Sequence, residues 1–420
     1  MFINVYTVLT VLIVLTAGFS YINARFLKLP ATIGIMLISL ISSLLIVWLG
    51  KYFPDISKHV TSFISSIDFE TVLMRAMLSF LLFAGAIHID ILKLKKEFIP
   101  IISYSTIGVM ISTLFIGMVM YLVFHLFHLQ VPVIYCLLFG SLISPTDPIA
   151  VLAILKQAKI PSSMEIKISG ESLFNDGVGV VVFISLLDIA LRSNDNHGLM
   201  QAVILLLKEA GGGILWGFIL GYTCYFLLKS INNYEVEVLI TIAVVMGGYL
   251  LASFMDVSGP LAMVVAGIIF GNKGTSQAMS DTTKDYLHKF WELIDNILNA
   301  LLFLLIGFEM ILLEFDLRII SIGLIAIVVA LAGRYISVFI PTLFMSYKRT
   351  FERNMLPILT WGGLRGGISV ALALSLPRGE FRNILVSITY IIVVFSILVQ
   401  GMTIGKLASK LTAVKEKYLD

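Results

Sequence analysis

The sequence predicts an all-α polytopic membrane protein of about 13 transmembrane helices, built as inverted repeats with two interrupted, crossing helices. Three observations lead there. The chain is 59% hydrophobic and only 13% charged, with mean hydropathy +1.00, more apolar than a soluble domain. Apolar runs of about 20 residues recur from end to end, each long enough to cross a bilayer as a helix. Two of those runs carry proline or glycine clusters at mid-depth, with charged residues inside them.

In order, the spans are expected at 3–22, 30–50, 70–90, 99–127, 132–156, 165–191, 200–229, 234–253, 256–271, 287–312, 317–346, 355–376 and 382–408. The first lacks a basic flank and a small-residue cleavage site, so it is a span and not a removed signal peptide. The seventh and eleventh are long enough to tilt. The ninth is short and glycine-rich and pairs with the eighth as a tight hairpin. After the last span no soluble domain is expected. Basic residues orient the set: with the N-terminus outside, clusters such as Lys93, Lys95, Lys96 and Lys348, Arg349, Arg353 fall on the cytoplasmic side, and so does the C-terminus with Lys406, Lys410, Lys415 and Lys417. The two cysteines, Cys136 and Cys224, lie inside apolar runs, which excludes a disulfide framework, and the six histidines have no ligand spacing.

The fifth span contains Ser144-Pro145-Thr146-Asp147-Pro148. Two prolines remove two backbone donors and clash with the preceding turn, so the helix breaks there. Asp147 before Pro148 also has the form of an N-cap and first-turn proline opening a second half-helix. The twelfth span contains Trp361-Gly-Gly-Leu-Arg-Gly-Gly-Ile-Ser369, a second weak point around Arg365. Taken singly, Asp147 reads as a structural cap and the glycines as close-packing residues. Taken together, two broken helices seven spans apart run antiparallel, the pattern of an inverted-repeat secondary transporter with its site between the breaks.

The sixth span adds Gly170-Glu-Ser-Leu-Phe-Asn-Asp-Gly177. Ser172 and Asp176 are four apart and share a face; Glu171 and Asn175 share the adjacent one. Arg334 and Arg365 sit mid-span in the eleventh and twelfth. Ionisable groups at bilayer depth are costly and usually functional. Asp147, Glu171 and Asp176 stand against Arg334 and Arg365, so two carboxylates are expected to be neutralised by arginines, with Glu171 and Arg334 a structural ion pair. The carboxylate left over can hold one proton or one monovalent cation, which is the basis of one-for-one exchange.

Through Ser-Pro-Thr-Asp-Pro at 144–148, Gly-Glu-Ser-Leu-Phe-Asn-Asp-Gly at 170–177, Gly-Arg at 333–334 and Gly-Gly-Leu-Arg-Gly at 362–366, the chain resembles the monovalent cation:proton antiporter family of the NhaP/NHE type, over essentially its whole length. The resemblance implies the Na+/H+ antiporter fold in the plasma membrane of a bacterium or archaeon. It also implies a homodimer, with core helices around 70–191 and 287–408 moving against dimer helices around 3–50 and 200–271. It makes Asp176 the ion- and proton-binding carboxylate, with Ser172 and the Thr146 backbone as further cation ligands, Asp147 close by through water, and Glu171 paired with Arg334. Asn175 is counted with Asp176 among the ion- and proton-binding residues, and its place before Asp176, where electrogenic relatives carry two aspartates, implies electroneutral exchange. One departure is Ala84, where many relatives have a glutamate.

The function expected is therefore exchange of Na+, with Li+ also accepted, for H+, with K+/H+ exchange as the alternative. No enzyme activity, cofactor or nucleic-acid partner is expected. An intramembrane hydrolase built on Ser258 lacks a mid-depth histidine base, and a passive channel has no use for a titratable carboxylate balanced against buried arginines.

Overall fold

The structure, a computed structural model, describes residues 5–416 apart from 66, 149–150, 153, 156–159, 192–198, 275–280, 314–315 and 347–354. The amides that an Asp147 cap would serve, at 149–150, and the orienting residues Lys348, Arg349, Arg353 and Lys417 therefore lie outside the described residues. Among the described residues the chain is helical throughout, and the single β-type pairing is an isolated antiparallel bridge between Asp147 and Leu364. Helices satisfy their own backbone, which is what a lipid environment demands.

Each expected span falls on helix. Nine described helices are long and apolar enough to cross a membrane. Three shorter apolar ones, Val72–Ile87, Val133–Ile143 and Gly259–Asn272, complete the set with the broken pair Met355–Trp361 and Gly367–Leu374. Two helices were not expected: the amphipathic Pro54–Ser65 and the short Ile91–Lys96. Both lie in connections between spans, where apolar-run length gives no signal.

Local chemistry sets the helix starts. Asn233 Oδ1 accepts from the amides of Glu235 and Val236 at 3.0 and 3.4 Å, while Glu237 Oε1 accepts from Asn233 N at 3.1 Å. This reciprocal cap opens Tyr234–Phe254. Ser258, followed by Pro260, opens Gly259–Ile269, closing the hairpin between the eighth and ninth spans. Asp90 accepts from Leu92 and Lys93 at the head of Ile91–Lys96.

The helix Val109–Leu126 packs on Val133–Ile143, and Leu317–Ser346 lies against both Val109–Leu126 and Glu380–Phe395. The first contact is close because Gly140 faces the Thr113 carbonyl, where any Cβ would collide. Asp281–Glu309 packs on Ala31–Gly50 and on Leu78–Ile87, and Gly259–Ile269 packs on Leu78–Ile87 and Leu199–Lys229. Of the broken helices, Gly367–Leu374 packs on Glu380–Phe395 and Val133–Ile143, and Met355–Trp361 packs on Leu317–Ser346.

Candidate functional site

The two breaks meet. Asp147 N donates to the Leu364 carbonyl at 2.8 Å, so the extended segments 144–148 and 362–366 run antiparallel past each other. Several of the freed backbone groups have identifiable partners, as burial requires. On the first segment, Thr146 N donates to Asn175 Oδ1 at 3.3 Å, and the Thr146 carbonyl accepts from the Ser172 hydroxyl. The Ser144 and Pro145 carbonyls accept from Arg365 Nη1 at 3.1 and 3.2 Å. On the second, Arg365 N donates to Ser396 Oγ at 2.8 Å, Ser396 Oγ donates to Gln400 Oε1 at 2.7 Å, and Gln400 Nε2 donates to the Trp361 carbonyl at 2.9 Å. Gly366 is required here, since a Cβ would run into the Asp147 carboxylate.

The role of Arg365 differs from the charge balance read in the sequence. It was expected to neutralise a carboxylate. Instead its guanidinium reaches the carbonyls at the end of Val133–Ile143 and its extension. Those carbonyls lost their helical partners at the break and are electron-rich. The carboxylate that pairs with an arginine is Glu171. It takes a two-pronged contact from Arg334, with Nη1 to Oε1 at 2.5 Å and Nη2 to Oε2 at 2.8 Å. Arg334 Nε donates to the Leu359 carbonyl at 3.1 Å, joining the sixth, eleventh and twelfth spans. Both charged groups are buried.

Asp176 is 9% exposed. Among the described residues its carboxylate has no hydrogen-bond or ion-pair partner. The charges that bear on it are like charges, Asp147 first and then Glu171. It lines a cavity of about 750 Å³ together with Thr146, Asp147, Gly366, Gly367 and Ser369. That cavity reaches the end of the bundle marked by His88, Glu165 and Glu292. A second cavity of about 620 Å³ lies at the opposite end, around Asp68, Glu309, Arg378 and Arg382, and Asp176 is not on its wall.

The remaining predicted residues divide. Thr146 and Asp147 are on the cavity wall with Asp176. Asn175 is not, although it was placed with the ion-binding group. Its Nδ2 donates to Thr146 Oγ1 at 2.8 Å and towards Glu171 Oε1 at 3.4 Å. The reason is the helical spacing: Asn175 shares the face of Glu171, four residues back, and so points to the ion pair. Ser172 lies behind the wall, beside a void of about 10 Å³ shared with Thr146, Glu171 and Arg334. Ala84 is fully buried.

Sequence reasoning missed Ser396 and Gln400, whose four-residue spacing in an otherwise apolar span was the available signal. It also passed over Asp295 and Asn299, again four apart, on the cavity wall. Ser258, the hydrolase candidate, accepts from Leu261 N at 3.3 Å and is a helix cap.

Comparison with known proteins agrees with this geometry. The family described as "Sodium/hydrogen exchanger, transmembrane" matches residues 10–410. The chain is 47% identical over 406 residues to the Na(+)/H(+) antiporter NhaP of Pseudomonas aeruginosa, covering 96% of each. It is 34% identical to the Na(+)/H(+) antiporter NhaH of Halobacillus dabanensis, covering 92% of this chain and 93% of that one. The fold matches the sodium proton antiporter MjNhaP1 from Methanocaldococcus jannaschii at pH 8 with a TM-score of 0.75 and 20% identity, over 96% of this chain and 97% of that one. The broken, crossing helices and a match that runs almost from end to end make this chain a multi-pass membrane transporter that belongs to the sodium/hydrogen exchanger family, of the NhaP type, and not an enzyme.

Proposed function

We propose that the protein exchanges Na+ for H+ across a bacterial or archaeal plasma membrane, one for one, with Asp176 holding either ion in turn. The observation that carries this reading is the setting of Asp176: buried, without a partner among the described residues, and on the wall of a cavity that reaches one end of the bundle. A carboxylate in that position is stable when a proton or a small cation neutralises it. Because one negative group accepts one positive ion in either half of the cycle, the loaded carrier has the same charge both ways. Asn175 supports electroneutrality, since it adds no charge and its amide is engaged with Thr146 and Glu171. The names of the relatives favour sodium over the potassium alternative.

In this reading the Thr146 carbonyl and the Ser172 hydroxyl complete the cation shell once Ser172 turns away from Thr146, with Asp147 acting through water. Glu171 with Arg334, and Arg365 with the freed carbonyls, keep the crossing rigid while it moves. Access alternates: the core helices carry Asp176 from one cavity towards the other, against dimer helices that hold two copies together. The N-terminus lies outside and the C-terminus in the cytoplasm, so the Asp176 cavity faces inward.

The test is proton flux in proteoliposomes containing an internal pH dye, with Na+, Li+ or K+ added outside. Flux driven by Na+ and unaffected by clamping the voltage supports the reading. Flux that follows the membrane potential removes the one-for-one stoichiometry, and flux with K+ alone removes the choice of ion.

A further inference from the structure

The wall opposite the crossing carries a second set of oxygen ligands. On Asp281–Glu309, Glu292, Asp295, Asn299 and Leu302 all line the Asp176 cavity. Their spacing of three, four and three places them on one helix face. Leu302 is level with the crossing, since a Cβ on Gly367 would collide with it. The stripe therefore leads from the end of the bundle at Glu292 towards the broken helices.

Asn299 is held in one orientation. Its Nδ2 donates to the Asp295 carbonyl at 2.8 Å and to Asp295 Oδ1 at 3.0 Å. Flipping the amide would set oxygen against two oxygens, so the assignment of its atoms is firm. Asn299 Oδ1 is then buried with no donor among the described residues, in a residue only 2% exposed. An unpartnered buried acceptor is costly. Beside it, Asp295 has no cationic partner among the described residues. Among the described residues, the ionisable side chains lining the cavity are Asp147, Glu165, Asp176, Glu292 and Asp295, with His88 the basic group. A carboxylate and a fixed, buried amide oxygen, on residues of a wall whose described members include no lysine or arginine, make a hard oxygen donor set suited to an alkali cation.

We propose that Asp295 and Asn299 form a second monovalent-cation site, which a partly hydrated Na+ occupies on its way to or from Asp176. This rests on the reading of the cavity as the cation path. Asp295 supplies the charge, Asn299 Oδ1 the neutral ligand, and remaining water the rest of the shell. The site raises the local Na+ concentration beside Asp176 and leaves the exchange stoichiometry to Asp176 itself.

Two measurements test it. In proteoliposomes, Asp295→Asn, which keeps the size and hydrogen-bonding shape, is expected to raise the KM for Na+ about tenfold, the loss of one charge-assisted contact. The limiting rate changes much less, and Asp295→Glu restores a low KM. An unchanged KM in folded Asp295→Asn protein overturns the proposal while leaving Asp176 as the exchange site. The second measurement is Na+ titration of the purified Asp176→Asn protein by calorimetry, which needs no transport. Residual Na+ binding that disappears in Asp176→Asn with Asp295→Asn, and weakens with Asn299→Ala, supports the site even if the exchange reading fails. No residual binding, or binding that survives both substitutions, overturns it.

Discussion

At the scale of single residues, three carboxylates near the crossing have three different environments. Glu171 is locked to Arg334 by two contacts and tied further to Asn175. Breaking a buried pair from one side leaves an uncompensated charge, at a cost of about 3–5 kcal/mol. Glu171→Gln and Arg334→Met are therefore each expected to lower the melting temperature in detergent by several degrees and to reduce yield. Melting unchanged in both would remove the structural role. Asp176 has the opposite character, with no partner to lose among the described residues. Asp176→Asn should fold and melt like the parent, or slightly higher, while cation-driven proton flux falls to the level of empty liposomes. Normal exchange by that variant would end the assignment of Asp176. Asp147, the third, has its backbone fixed to Leu364 and its side chain pressed against Gly366, so it is bound to the geometry of the breaks.

At the scale of elements, the breaks are stabilised from outside themselves. Each broken helix exposes carbonyls and amides that a bilayer cannot solvate, and side chains from other spans satisfy several of them. Arg365 serves Ser144 and Pro145, Asn175 and Ser172 serve Thr146, and Ser396 with Gln400 serves the second break. Arg365→Leu removes two charge-assisted bonds and is expected to lower both thermal stability and flux. Arg365→Lys retains a donor without the planar fork and should recover part of each. If Arg365→Leu transports and melts like the parent, the carbonyls do not depend on the guanidinium. The π-helical segment Ser396–Gln400 belongs to the same device, since it presents Ser396 to the Arg365 amide.

At the scale of the whole molecule, two cavities lie at opposite ends with the crossing between them, and Asp176 lines one only. One-sided access is the geometry from which alternation starts. The orientation proposed for the protein can be tested directly because both native cysteines are buried. Lys51→Cys should react with a membrane-impermeant thiol reagent added outside intact cells, and Lys95→Cys only after the cells are opened. The reverse pattern would invert the molecule and place the Asp176 cavity outside. Chemical crosslinking in membranes, giving a species of twice the chain mass, checks the dimer.

The sequence by itself determined the helical class, the spans and the places where helices break, because these follow from local properties. Run length sets a span, and Pro145, Pro148 and the glycines around Arg365 interrupt the backbone wherever they stand. The spacing of Glu171, Ser172, Asn175 and Asp176 likewise divided them into two faces without any tertiary knowledge. What the sequence could not decide is which face meets what. Counting charges assigned Arg365 to a carboxylate, but a count is blind to backbone carbonyls, and the fold delivers two of them to its guanidinium. Asn175 was counted with the ion-binding residues, whereas the fold turns it to Thr146 and Glu171. Asp295 and Asn299 gained their meaning only when Asp281–Glu309 packed beside the crossing. Pairing between spans distant in sequence depends on how whole helices pack, and only the tertiary structure specifies that.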